Sequence, residues 1–95
     1  MALGIIATIE AQPDQIEFVE QTLKDVVPPS RQDEGCEYYT LTRDRENERV
    51  FVMVEQWRDR EALDAHLASE HYKQMAMTLE NRIAQMAVRE YDVLT

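Results

Sequence analysis

Between Val50 and Trp57 the chain alternates so that Phe51, Met53, Glu55 and Trp57 point to one side of a strand and Val50, Val52 and Val54 to the other. A strand that is mostly apolar on both sides must be covered on both, which excludes a sheet with one solvated face. Directly after Trp57 the spacing of apolar residues changes to that of a helix, and two histidines, His66 and His71, follow. A carboxylate and an indole at a strand end are thus delivered next to two imidazoles, which are the makings of a small-molecule site.

The rest of the chain supplies the partners for that strand. Leu3 to Glu10 reads as a first strand, Ile5, Ala7 and Ile9 alternating with Ile6 and Thr8. Pro13 and Asp14 suit a helix start, and Ile16, Val19, Leu23 and Val26 form its apolar stripe. Pro28 and Pro29 are expected to end or kink it. A polar connection closed by Gly35 leads to a strand over Cys36–Thr42, and Arg43 to Asn47 supply a hairpin turn. Asp59 can cap a short helix containing Ala62, Leu63, His66 and Leu67. After a break near Ser69, Tyr72, Met75, Leu79, Ile83 and Met86 trace a second helical stripe, and Val88 to Leu94 close the chain as a fourth strand. The order β-α-β-β-α-β predicts an α+β fold of the ferredoxin-like type, a four-stranded antiparallel sheet with helices on one face. Val50, Val52 and Val54 then need a cover on the other face. A second copy laying its sheet against the first would provide it, so a homodimer is expected.

Ninety-five residues make a single domain, 1–95. The net charge of −9 runs against nucleic acid and against anionic membranes, which recruit clustered Lys and Arg, and favours small neutral or aromatic ligands. No apolar run approaches the roughly 20 residues of a membrane span, and the N-terminus lacks the basic leader of a signal peptide. The lone Cys36 rules out an intrachain disulfide and a cysteine-based zinc site. A cytoplasmic protein is the resulting expectation.

Four pieces give the chain a resemblance to the antibiotic biosynthesis monooxygenase family of the dimeric α+β barrel superfamily: Ser30-Arg31 leading into Gly35-Cys36; Tyr39 with Leu41; Val54-Glu55-Gln56-Trp57; and the run from Glu61 to His71. The resemblance spans nearly the whole chain and implies a homodimeric barrel. It includes cofactor-independent quinol and polyketide monooxygenases, a phosphosugar isomerase and haem-degrading enzymes. The haem-degrading members use a histidine further along the last helix and an asparagine on the first strand. This chain has Met75-Ala76-Met77 and Thr8 in those stretches, which argues against haem degradation.

Dioxygen reacts slowly with closed-shell molecules, but an electron-rich phenolate can react with it without flavin or metal. The protein must then supply a base, donors for the oxyanion and a dry pocket. His71 is the preferred base and His66 the alternative, either of which is equally readable as a helix-packing residue. Glu55 is a candidate to orient a histidine, or a partner for Arg58, Arg82 or Arg89. Trp57 can line the site or fill the core, and Tyr39 and Tyr72 can donate to an oxyanion or sit at the core edge. Met53 and Met75, with Met77 and Met86, can fill gaps or form an adaptable wall for a flat ligand, and Cys36 reads as an inert thiol. No HExxH-like spacing is present, so neither a metal nor another cofactor is expected. The resulting reading is a cofactor-independent monooxygenase that oxidises a quinol or polycyclic phenol with dioxygen. The alternatives are a proton-transfer enzyme or isomerase on a small carbonyl compound, phosphorylated or not, and a non-catalytic ligand-binding dimer.

Overall fold

A computed structural model describes Met1–Thr95. Its elements are β1 (Leu3–Ala11), α1 (Ile16–Arg31), β2 (Cys36–Arg43), β3 (Val50–Trp57), α2 (Arg60–Leu67), α3 (Glu70–Leu79) and β4 (Ile83–Asp92). The strands form one antiparallel sheet in the order β2-β3-β1-β4, the ferredoxin-like arrangement the element order predicts, with α2 and α3 together in place of a single second helix. β3 occupies the span read from its alternation.

Register explains where the core sits. Tyr39, Glu55, Ile5 and Glu90 lie in one row across β2, β3, β1 and β4, and Leu41, Met53, Ala7 and Val88 in the next on the same side. The helices pack on this side, and Val19, Leu23 and Val26 of α1 are buried against it with Phe51, Met53 and Trp57. The cover is uneven. Met86 and Val88 of β4 face the helix side yet are about half exposed, at 44% and 52%, which leaves an opening between β4 and the helices. On the opposite face Ile6, Val50, Val52 and Val54 are only half-buried.

Two expectations need correction. Pro28 and Pro29 do not end α1, which continues to Arg31. A proline leaves the carbonyl four residues back without a donor; here those carbonyls belong to the exposed Lys24 and Asp25, where water can take the place of the N–H. The last turn then tightens, Gln32 N–H donating to Pro29 O and Asp33 N–H to Ser30 O, each at 3.1 Å. Second, Ile83 and Met86 belong to β4, which begins at Ile83 instead of Val88. Asn81 has φ 69°, in the left-handed region that asparagine tolerates and a helix does not, so α3 stops at Leu79 although the apolar spacing runs on.

Two caps and a glycine hold the helices that carry the histidines. Asp59 Oδ1 accepts from Ala62 N–H at 2.9 Å at the start of α2. Ser69 Oγ accepts from Tyr72 N–H at 3.3 Å, opening α3, while its hydroxyl donates to His66 O at 2.6 Å. Gly35 has φ +82°, and a Cβ there would meet Ala62 Cβ at 2.4 Å. Only glycine therefore lets the α1–β2 connection pass this close beneath α2.

Candidate functional site

The opening beside β4 leads into a cavity between the sheet and α2 and α3, about 530 Å³ including its open mouth. Ile5, Ala7 and Met53 contribute to its floor, and Leu63, Tyr72 and Met75 to its roof. Polar groups are few. Tyr39 and Glu55 stand side by side in one sheet row, Tyr72 faces them from α3, and Glu90 sits at the mouth, engaged by Arg60 of α2. An apolar chamber with a small number of convergent polar groups is the usual form of a small-molecule site.

Glu55 is the unusual group. It is 9% exposed, and its hydrogen bond comes from the Trp57 indole, Nε1–H donating to Oε1 at 2.9 Å. Burial pushes its pKa up from 4.5 to about 7, with only the indole opposing. None of the three arginines considered from the sequence reaches it. Arg58 pairs with Asp59 and Glu34, Arg82 donates to Gln15 and lies over Phe18, and Arg89 lies in register with Ile6, on the opposite face. Burial and the nearby Glu55 charge push the Tyr39 phenol well above its ordinary pKa and raise that of Tyr72 in the same sense. Both phenols therefore remain O–H donors at neutral pH.

The histidines lie apart from the cavity lining and meet on a residue that sequence reading missed. Asp33, in the α1–β2 connection, has one carboxylate oxygen shared by both: Oδ2 is 2.8 Å from His66 Nδ1 and 2.7 Å from His71 Nε2. His66 is 1% exposed, and His71 is half-buried, its other side on a shallow polar depression with Thr22, Asp25 and Gln74. The His66 ring packs on Trp57 at 4.5 Å between centroids, and on Tyr39 and Tyr72 at 5.4 and 5.2 Å. Its burial lowers its pKa, against the pull of Asp33. Trp57 is fully buried behind Glu55. Of the residues named from sequence, Glu55, Tyr39, Tyr72, Met53 and Met75 line the cavity, whereas Trp57, His66 and His71 form a layer beside it. Cys36 is half-buried, with its thiol pKa raised by burial, and Met77 is exposed. The signal that could have pointed to Asp33 is its place in a turn closed by Gly35, but nothing local ties it to residues 33 and 38 positions further on.

The model of the antibiotic biosynthesis monooxygenase family matches residues 2–77 of this chain. The chain belongs to that family. Among curated relatives of this monooxygenase-family chain is Rv0793 of Mycobacterium tuberculosis, a candidate monooxygenase by name, 31% identical over 70 residues, which cover 74% of this chain and 68% of the relative. The solved structure of Rv0793 superposes with a TM-score of 0.94 at 26% identity, covering 100% of this chain and 97% of that one. PA3566 from Pseudomonas aeruginosa gives a TM-score of 0.95 at 36% identity, over 99% of this chain and 95% of its own. An uncharacterised Synechocystis protein, sll1783, is 26% identical over 83 residues, 87% of this chain; the match spans only 56% of that relative's length. No helix is long and apolar enough to cross a membrane.

Proposed function

We propose that the protein is a cofactor-independent monooxygenase that oxidises a quinol or polycyclic phenol with dioxygen. The observation that carries this reading is Glu55, a buried carboxylate that titrates near neutrality and faces an apolar chamber beside two neutral phenols. Ionised, it accepts the phenolic proton of a ring bound over Met53 and Met75, while Tyr39 and Tyr72 donate to the oxyanion. The phenolate passes an electron to dioxygen, and the resulting radical pair recombines on a ring carbon within the apolar walls. One oxygen atom enters the ring and the other leaves as water, so a quinol and dioxygen give a hydroxyquinone and water. In this scheme the base is Glu55; His66 and His71 support Trp57 and the helices behind it.

Oxygen uptake by the purified, chelator-treated protein against a panel of quinols and polyphenols tests the reading. A rate above autoxidation, with one atom of labelled dioxygen in the product, is expected. No uptake with any compound would leave the proton-transfer and binding alternatives, which use the cavity but not the oxygen.

The half-buried face carrying Ile6, Val50, Val52 and Val54 supports a homodimer packed sheet to sheet. Light scattering at micromolar protein is expected to give twice the 11.1 kDa chain mass, and a monomer mass would remove the dimer from the scheme.

A further inference from the structure

We propose that Asp33, His66 and His71 form a binding site for a divalent transition cation of the zinc type, separate from the cavity. Each residue offers one ligand atom, and all three atoms lie within 4.8 Å of one another. Two nitrogens and a carboxylate oxygen are a donor set for zinc, cobalt or iron(II), whereas magnesium and calcium prefer oxygen alone. Three protein ligands leave a fourth position for water, and Asp33 and His71, both partly exposed, give an entry path from solvent.

The second observation is on the far side of the His66 ring. His66 Nε2 is buried without a hydrogen-bond partner. Trp57, Tyr39 and Tyr72 pack around the ring, and none of them gives Nε2 a hydrogen-bond partner. Neither neutral tautomer satisfies both nitrogens: a proton on Nδ1 serves Asp33 and leaves the Nε2 lone pair buried without a donor, and a proton on Nε2 turns the Nδ1 lone pair toward the carboxylate. A cation held by both Nδ1 and Asp33 Oδ2 lets Nε2 keep the proton, the two ligand atoms opening from their hydrogen-bond distance of 2.8 Å to the wider spacing of tetrahedral ligands. With the cation removed, the proton moves to Nδ1 to donate to Asp33, and the Nε2 lone pair is left among aromatic rings. The site also joins three segments, the α1–β2 connection, α2 and the first turn of α3, so the bound ion fastens the helices over the cavity. Chain spacing gives no hint of it, because one ligand comes from a loop distant in sequence.

Calorimetric titration of Zn²⁺ into the untagged, chelator-treated protein tests the proposal. One ion per chain is expected, with micromolar or tighter affinity, a raised Tm on binding, and no competition from an equal concentration of Mg²⁺. Asp33→Asn and His71→Gln alter one partly exposed ligand each and should weaken binding by more than the roughly 10- to 100-fold that loss of an outer-shell partner costs, whereas Cys36→Ser should leave it unchanged. Co²⁺ in place of Zn²⁺ should give the visible absorption of a nitrogen- and oxygen-ligated ion, lost in both ligand variants. Absence of saturable binding by the wild-type chain, or unaltered affinity in both Asp33→Asn and His71→Gln, overturns the proposal. Both readouts are independent of turnover, so failure of the monooxygenase reading leaves the site to stand or fall on its own.

Discussion

Glu55→Gln is expected to make the protein more stable at pH 8 and at the same time to lower oxygen-dependent turnover by at least about 100-fold, the usual contribution of a positioned base. Both effects follow from one fact. Burial places the folded-state pKa of Glu55 at about 7, above its ordinary value of 4.5. Between those values the unfolded chain releases this proton while the folded chain keeps it, so the unfolded state is favoured progressively as pH rises from about 4.5 to about 7. Below that window the group costs nothing, and above it the full penalty applies. At about 1.4 kcal/mol for each pH unit, the penalty is roughly 3 kcal/mol. Glutamine is nearly the same shape, has no charge to bury, and keeps a carbonyl oxygen for the Trp57 N–H. For a domain of this size the gain corresponds to a rise in Tm of roughly 12–24 °C at pH 8, shrinking towards zero near pH 4.5. Thermal melts of both proteins across that range, with oxygen uptake measured in parallel, check the prediction. Equal pH dependence of the two melting curves would mean that Glu55 ionises normally and does not serve as a base tuned to neutrality. Stability lost to keep a charge in an apolar cavity is a cost that packing alone does not explain, and the base of the proposed reaction would account for it.

How much of this was legible before the fold was known depends on the distance over which each feature is encoded. The pairing of Glu55 with Trp57 was within reach because residues two apart on a strand share a face, and β3 keeps its alternation from Val50 to Trp57. The capping by Asp59 and the break at Ser69 were readable for the same reason, each being a side chain acting on a backbone group three residues on. The helix stripe through Ile83 and Met86 misled because a register shift in the pairing of β4 with β1 brings these two residues, three apart, onto one face as a helix would. What decides between them is the left-handed backbone at Asn81, which composition only weakly signals. The two prolines of α1 misled because the rule against them concerns helix interiors, and these occupy the last turn, with the exposed residues Lys24 and Asp25 four positions behind them. Asp33 was out of reach altogether. Its role exists only once Gly35 lets the connection pass beneath Ala62 and the break at Ser69 swings His71 to the same carboxylate oxygen as His66.

Trp57→Phe is expected to move the pH dependence of the reaction as well as lower its rate. The indole is fully buried, and its N–H is the hydrogen bond that favours the charged form of Glu55. Hydrogen bonds to charged groups contribute about 1.5–3 kcal/mol, so losing this one should raise the Glu55 pKa by a further 1–2 pH units or so. The midpoint of kcat/KM against pH should therefore shift from near 7 to roughly 8–9, with turnover about 10-fold or more lower at pH 7 and recovering in alkali. Packing suffers less. Phenylalanine keeps a ring against Tyr39 and His66, so the loss of stability should stay below the roughly 3–5 kcal/mol of a truncation to alanine, and the chain should remain folded at room temperature. A rate profile taken from pH 6 to the alkaline limit of stability separates the two ways in which Trp57 can matter. If the indole is only a wall, the rate drops by the same factor at every pH; if it sets the ionisation of the base, the profile moves and the plateau returns. The second outcome, combined with loss of turnover at all pH values in Glu55→Gln, would place the proton transfer on the carboxylate and assign the neighbouring indole the task of holding it ionised.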